Sequence, residues 1–295
     1  MSDVLLSIIV CTWNRADEVG DCLSELARQA AEFADVEIVV VDNNSKDDTR
    51  GAVERAAREC GYPFRYFCET QAGSSYARNR GRRESRGRVI AYIDDDEVAL
   101  PGWVSGIREH FLAGKSDCLA GKISVEMIGT PPEGLTPDLL WILGELDLGP
   151  EERLIQFPVA PQTGNCAMRA EVFDAAGGFN TSFMLYGDDT ELFRRIFAHG
   201  FTVMYVPTVE IVQRVPASRL STEALKQKAY NWGRGAAIFW MLESPTGLRR
   251  WAKVGEYALR AAYVGGRWCA GPTLGRYFTF WHDCGRLRQL VTGVR

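Results

Sequence analysis

The chain of 295 residues lacks the features that mark several common classes of protein. It contains no uncharged apolar run of the ~18 residues that a membrane-spanning helix requires. Its first residues are acidic and have none of the basic side chains with which a secretory signal peptide begins. Its eight cysteines include no C-x-x-C pair, so reduced thiols are expected rather than a disulfide framework. These absences together predict a cytoplasmic protein.

The chain also lacks an excess of positive charge, since its net charge at neutral pH is −4. This balance argues against a protein that binds nucleic acid. The charges are unevenly distributed along the chain. The segment 249–295 contains nine basic and two acidic residues, and it is rich in Trp and Tyr. A basic, aromatic tail on an acidic body indicates a second surface with a partner of its own.

Hydrophobic periodicity predicts an α/β protein. Short apolar runs typical of buried strands alternate with helical patterns, and the runs occupy residues 7–11, 37–42, 64–68 and 89–93. This alternation predicts a mostly parallel central sheet with helices on both faces. Each predicted strand ends in a loop of polar residues. The four loops should therefore meet at one rim of the sheet.

The regular pattern stops at about residue 122 and resumes at about residue 162. The intervening region is rich in proline and predicts an insert that is partly ordered over residues 139–148. After it, the pattern predicts a short strand, a helix that stops at Gly177 and Gly178, a second helix that stops at Gly200, and a further strand from Phe201.

A strand-like run leads directly into four acidic residues, Asp94, Asp95, Asp96 and Glu97. Adjacent carboxylates repel one another, and partial burial raises the cost of keeping them ionised. The carboxyl ends of strands are where open α/β sheets bind ligands. A divalent cation, which prefers oxygen ligands, would relieve the repulsion. A solvated polar turn is the alternative interpretation.

Seven motifs occur in order along the chain: SIIVCTWNR, EIVVVDNNSKDDT, GSSYARNRG, YIDDDE, GNCAMRAEVFDAAGGF, GDDTELFRR and YVPTVEIVQRVPASRL. In this order and spacing they resemble glycosyltransferase family 2, the inverting nucleotide-sugar enzymes of GT-A fold. The resemblance implies a GT-A fold with a Rossmann-like sheet. It further implies a catalytic domain over residues 1–220, which carries the acceptor-side insert at about 122–162, and a helical C-terminal extension over residues 221–295.

The resemblance also assigns residues to the nucleobase. Cys11 and Trp13 match the loop that holds the base, and Trp13 offers a stacking face. Asp42 matches the carboxylate that hydrogen-bonds the base. A tryptophan packed at the rim and an Asx-type turn at Asp42 are the structural alternatives.

The diphosphate side is assigned in the same way. Arg78 matches a diphosphate or ribose contact, although an arginine on an exposed helix is usually only solvated. Asp94 and Asp96 match the ends of the D-x-D signature, so that Asp94 and its neighbour Asp95 would contact the nucleotide and Asp96 would hold Mn²⁺ or Mg²⁺. Gln213 occupies the position of a common histidine ligand, and its amide oxygen is a poorer ligand for a transition metal than imidazole.

On the acceptor side the resemblance makes Asp189 the general base. Asp188 replaces the usual glutamate, and Asn165 is expected nearby. The alternative is that one of the two acids caps the helix expected to begin near Thr190.

The implied function is transfer of a sugar from a nucleotide-diphosphate donor to a hydroxyl of a glycan, a lipid-linked glycan or a natural product. A UDP- or dTDP-sugar is favoured over a GDP-sugar. A nucleotide-sugar-binding protein without transferase activity and a sugar nucleotidyltransferase are the alternatives, although the latter usually has a Gly-rich N-terminal phosphate loop that this chain lacks. The tail could lie peripherally on the cytoplasmic face of an anionic membrane, pack on the body or form a homodimer contact.

Overall fold

The computed structural model describes residues 4–183, 186–243, 248–271 and 273–292. These residues form two compact units. The first contains the residues up to Ser124 together with Leu146–Thr181 and Asp189–Arg214, and the second contains Val125–Glu145, Ser182–Asp188 and the residues from Val215 onward. The predicted insert is therefore divided between the two units. Residues 272 and 293–295 of the predicted tail lie outside the described residues.

The central sheet has nine strands among the described residues: β1 Leu6–Thr12, β2 Val36–Asp42, β3 Phe64–Cys68, β4 Val89–Asp94, β5 Glu97–Ala99, β6 Cys118–Ile128, β7 Arg153–Ile155, β8 Cys166–Arg169 and β9 Val203–Pro216. Their order is β3-β2-β1-β4-β8-β6-β9-β5, and β7 pairs with β9. The four strands β3-β2-β1-β4 are parallel, whereas β8 runs antiparallel to β4 and to β6. The predicted α/β class is thus confirmed, and the parallel part is the part predicted from the apolar runs.

Helices cover both faces of the sheet in the first unit: α1 Val19–Ala30, α2 Thr49–Cys60, α3 Ser74–Glu84, α4 Trp103–Leu112, α5 Ala170–Ala176 and α6 Asp188–Ala198. Helices α1, α2 and α4 share a core with Ile8 and Ile38, and α3, α5 and α6 share a core with Ile9 and Val39. Successive residues of a strand point to opposite faces, so each apolar strand contributes to both cores.

The second unit consists mainly of three long helices: α7 Thr222–Glu243, α8 Leu248–Ala270 and α9 Leu274–Thr292. Helices α7 and α9 approach closely because Gly233 and Gly285 have no side chains. A Cβ at Gly233 would collide with the carbonyl oxygen of His282, and one at Gly285 would collide with that of Tyr230. The predicted helical C-terminal region is confirmed. Among the described residues, no helix combines the length and the hydropathy that a membrane crossing needs.

Candidate functional site

The carboxyl ends of the parallel strands meet at one rim, as predicted. Strand register pairs Thr12 with Asp42 and Cys11 with Asp94, and it pairs Asp42 with Cys68. Three of the residues assigned to the nucleotide, Cys11, Asp42 and Asp94, therefore lie at the ends of neighbouring strands.

The loop after β1 presents Trp13 to solvent. The Trp13 side chain is exposed, and the next residue, Asn14, has a left-handed backbone conformation with φ 52°. The Asn14 N–H donates a hydrogen bond to Ser45 Oγ (2.8 Å), and Asn14 Oδ1 accepts one from the Lys46 N–H (2.7 Å). These bonds connect the loop after β1 to the loop after β2. The indole face is thus accessible for stacking on a positioned loop.

Asp42 is buried, and both of its carboxylate oxygens are engaged within the protein. Oδ1 accepts hydrogen bonds from the Ser45 N–H (2.8 Å) and the Ser45 hydroxyl (2.6 Å), which is the Asx-type turn considered above. Oδ2 accepts one from the Tyr66 hydroxyl (2.5 Å). Burial, followed by this hydrogen bond, raises the pKa of Tyr66. Because a carboxylate oxygen has two lone pairs and Ser45 uses both of those on Oδ1, a nucleobase contact would share Oδ2 with Tyr66.

The acidic residues form a tight turn between β4 and β5. Asp94 Oδ1 accepts a bond from the Arg78 guanidinium at 3.3 Å, and Asp96 Oδ2 lies 3.4 Å from the Arg15 guanidinium. The run is therefore not a bare solvated loop, because an arginine faces each of its outer aspartates.

The other two carboxyl groups of this run are buried. Burial raises the pKa of Asp95 to about 7, and the charges of Asp96 and Asp94 add to this effect. The nearby Thr12 hydroxyl acts in the opposite direction and lowers that pKa, although neither Thr12 Oγ1 nor Asp95 Oδ2 has a well-formed hydrogen bond. Burial raises the pKa of Glu97 well above its usual value, although the Asp94 N–H donates to Glu97 Oε2 (3.0 Å). Perturbed carboxyl groups of this kind are typical of functional sites.

Gln213 lies beside this turn. Antiparallel register pairs it with Glu97, which follows Asp96 directly in the chain. In the part of the chain that the structure describes, no three or more His, Cys, Asp and Glu side chains are grouped as a metal site would require.

The thiol of Cys166 in β8 is buried. Strand β8 places Cys166 opposite Tyr92 of β4. Burial raises the pKa of this thiol, and the charges that act on it include those of Arg78, Asp189 and Asp94. The predicted base therefore lies within electrostatic range of the same thiol as the two predicted donor-side residues.

Helix α6 begins at Asp188, two residues before the predicted start near Thr190. Both acids thus lie in its first turn, where the helix dipole favours negative charge. Asp188 is buried, whereas Asp189 is partly exposed. Asp189 Oδ1 accepts a hydrogen bond from the Thr190 N–H (2.6 Å).

Two residues that were not predicted as site residues, Arg195 and Asn79, bind the loop that follows α5. Arg195 donates to both oxygens of buried Glu191 (2.8 and 2.6 Å) and to the Gly178 carbonyl oxygen (2.6 Å). Asn79 of α3 makes two reciprocal 2.9 Å bonds with the backbone of Phe179. The ion pair between Glu191 and Arg195 could have been predicted from their i,i+4 spacing on a helix.

Asn165, which was predicted near the acceptor side, makes its hydrogen bonds inside the core. Its side chain is fully buried. Its amide nitrogen donates to the carbonyl oxygens of Lys122 (2.8 Å) and Val209 (2.9 Å), and its oxygen accepts from Trp103 Nε1 (2.8 Å). All three bonds connect parts of the core. We therefore leave Asn165 out of the proposed acceptor site.

The chain is similar to known proteins in both sequence and structure. The model of glycosyl transferase family 2 matches residues 7–176. The succinoglycan biosynthesis protein ExoM of Rhizobium meliloti is 25% identical over 78% of this chain and 73% of its own length. Validoxylamine A glucosyltransferase of Streptomyces hygroscopicus is 28% identical over 66% of this chain, which matches about half (52%) of that relative. A mannosyltransferase structure from Pyrobaculum calidifontis, in complex with GDP-Man and Mn²⁺, has a TM-score of 0.66 at 16% identity over 97% of this chain and 86% of its own.

Proposed function

Because the chain belongs to glycosyl transferase family 2, whose members transfer sugars, we propose that it moves a sugar with inversion from a nucleotide-diphosphate donor to an acceptor hydroxyl. The observation that carries the proposal is the strand register that brings Cys11, Asp42 and Asp94 to one rim of the sheet, where the Arg78 guanidinium lies 3.3 Å from Asp94. This rim offers a site for the nucleotide and its diphosphate, and Asp189 in the first turn of α6 is the candidate base for the acceptor hydroxyl.

The donor binds at the rim formed by the strand ends. Trp13 stacks on the nucleobase, Asp42 accepts a hydrogen bond from it, and Cys11 lines the loop beneath. UDP- and dTDP-sugars remain the favoured donors. The similar mannosyltransferase was solved with GDP-Man, so GDP belongs in the same binding test.

The acidic turn fits a divalent cation. Its donors are oxygens, which hard cations prefer, and the buried Asp95 Oδ2 has no well-formed hydrogen bond. Asp96 would hold the ion and Gln213 would add its amide oxygen. Mg²⁺ is typically bound by one or two protein ligands together with the phosphates of the substrate. Mn²⁺ is the alternative ion. When bound, the cation would stabilise negative charge on the departing diphosphate.

The protein's own residues perform the remaining steps. Arg78 offers a guanidinium to the diphosphate oxygens, where charge increases as the glycosidic bond breaks. Asp94 orients the ribose or the sugar. Asp189 accepts the proton of the acceptor hydroxyl, whose oxygen attacks the anomeric carbon from the face opposite the leaving group. Asp188, buried in the same turn, orients the base.

Titration calorimetry with UDP, dTDP and GDP, each with Mn²⁺, with Mg²⁺ and with EDTA, tests the donor site. We expect one nucleotide to bind at least about tenfold more tightly with metal. Asp96→Ala should remove this gain, whereas Asp21→Ala, an exposed aspartate on α1, should retain it. Identical affinities in EDTA and in metal would remove the proposed role of Asp96.

The same measurement on Gln213→His tests the second ligand. Imidazole binds Mn²⁺ at least as well as an amide oxygen does, so metal-dependent affinity should be retained or increased. A large loss of that affinity would place Gln213 outside the metal shell.

A further inference from the structure

Among the described residues, helix α8 packs on its neighbours through one side. Val254 and Tyr257 face a small core formed with Met241 and Leu290. The Arg286 side chain donates to the Tyr257 hydroxyl at 2.9 Å on the same side. The inward side of α8 is therefore covered by α7 and α9.

The outward side of α8 is apolar and exposed. Trp251, Leu259 and Tyr263 are 64%, 75% and 65% exposed. At about 100° per residue along a helix, these three lie on one face, and the positions between them carry small exposed residues, Ala252, Gly255, Ala262, Gly266 and Ala270. A contiguous exposed apolar surface is typical of an interaction site.

A row of basic side chains borders this face on one side. The same helical spacing aligns Arg249, Lys253, Arg260 and Arg267 along that margin. Arg249 and Arg267 are exposed, and the Arg267 guanidinium lies 5.8 Å from the Tyr263 ring centroid. The basic groups thus lie directly beside the apolar face.

Two of the four basic groups also have acidic neighbours within the unit. The Arg260 guanidinium lies 2.9 Å from buried Asp283, and the Lys253 ammonium lies 2.7 Å from Glu256. Glu256 is the one acidic residue of α8. The exposed margin therefore keeps a positive balance, chiefly from Arg249 and Arg267.

We propose that α8 lies on an anionic lipid surface, with Trp251, Leu259 and Tyr263 inserted among the acyl chains and the basic margin at the headgroups. A bilayer surface offers an apolar layer immediately below a layer of negative charge, which matches the two adjacent parts of this helix. A second copy of the chain fits less well, because its α8 would bring the same positive margin to the contact. The membrane contact predicted for the tail is thus assigned to one face of helix α8.

Vesicle flotation of the full chain without donor or metal tests the proposal. We expect binding to vesicles of phosphatidylcholine with phosphatidylglycerol, no binding to phosphatidylcholine alone, and release as salt rises. The triple variant W251S/L259S/Y263S should bind at least about tenfold less. The control L112S/L154S removes leucines that are similarly exposed (61% and 60%) on other elements, and it should bind as the natural chain does.

A second pair of variants isolates the charge. Arg249→Glu with Arg267→Glu should weaken binding about tenfold or more. Arg50→Glu with Arg58→Glu makes the same change in net charge on exposed positions of α2, and it should have little effect. Circular dichroism confirms that each variant is folded.

Equal binding by the triple variant and its leucine control would overturn the proposal, as would an absence of vesicle binding by the natural chain. Sedimentation velocity tests the alternative that a second copy of the chain covers this face. A dimer that forms with the natural chain but not with W251S/L259S/Y263S would assign the face to self-association. None of these measurements requires sugar transfer, so their failure would leave the proposed enzymatic function untouched.

Discussion

A general base must be ionised and must reach the proton that it removes. Asp189 lies partly exposed in the first turn of α6, where the positive end of the helix dipole favours a carboxylate. Asp188 precedes it and is buried. Exposure thus distinguishes two neighbouring residues of the same type.

At the residue scale, Asp189→Asn tests the base directly. The amide keeps the shape of the carboxylate but cannot accept the acceptor's proton. We expect unchanged affinity for the nucleoside diphosphate and a fall in kcat of roughly 10²- to 10⁴-fold. The measurement is transfer kinetics at saturating donor, combined with nucleotide calorimetry on the same preparation.

Asp188→Asn is the matched control for this change. It should cost far less turnover if Asp188 only orients the helix start. Equal and severe losses at both positions would leave the base unassigned, and full activity in Asp189→Asn would exclude Asp189 from the role.

At the scale of elements, Asn165 connects three parts of the sheet assembly. Its bonds reach Trp103 on α4, Lys122 on β6 and Val209 on β9. Asn165→Ala would leave a buried indole N–H and two carbonyl groups without these partners. Each unsatisfied buried group costs about 1–3 kcal/mol, so we expect a loss of stability of about 3 kcal/mol or more.

Thermal unfolding followed by circular dichroism measures this loss. Asn231→Ala, which removes an exposed side-chain hydrogen bond on α7, is the control and should shift the midpoint little. Nucleotide affinity should persist in Asn165→Ala well below its unfolding midpoint. Unchanged stability with a selective loss of transfer would instead restore Asn165 to the acceptor side.

At the scale of the whole molecule, stability should depend on pH through a group far from the site. His110 of α4 is 2% exposed, and its Nε2 lies 2.7 Å from Ser116 Oγ, which donates to the Cys118 carbonyl. Burial, with a contribution from the charge of Lys115, lowers the pKa of His110 from 6.5 to about 4. Between pH 6.5 and about 4 the unfolded chain therefore binds a proton at His110 that the folded chain does not.

The linkage fixes the sign of this effect. The contribution of His110 is fully present above pH 6.5 and is lost as the pH falls toward 4, by up to about 3 kcal/mol. His110→Gln cannot titrate, so its stability deficit relative to the natural chain should shrink over this range. The midpoints of urea unfolding of both proteins, determined at several pH values between 6.5 and 4, give this deficit. His199→Gln, at the exposed end of α6, should show a deficit that does not change in this way, and a constant deficit for His110→Gln would contradict the assignment.

Local sequence patterns were sufficient to locate much of the fold. The run FRYFC became β3 with the predicted bounds, and the apolar positions of α1 that recur at helical spacing are all buried. The convergence of Cys11, Asp42 and Asp94 also followed from local information, because parallel strands that end in polar loops share one rim. Such features depend on residues that are near one another in the chain, so period and turn chemistry reveal them.

Other features depended on contacts between residues that are far apart in the chain. Lys122, Ser124 and Glu126 alternate with apolar residues in β6, yet the prolines that follow obscured this strand. The three core bonds of Asn165 and the bond from Tyr66 to Asp42 require strand order and register, which no local pattern encodes. The outward face of α8 is likewise defined only by which side α7 and α9 cover. Burial and hydrogen-bond partnership are properties of packed neighbours, and folding brings those neighbours together from distant parts of the chain.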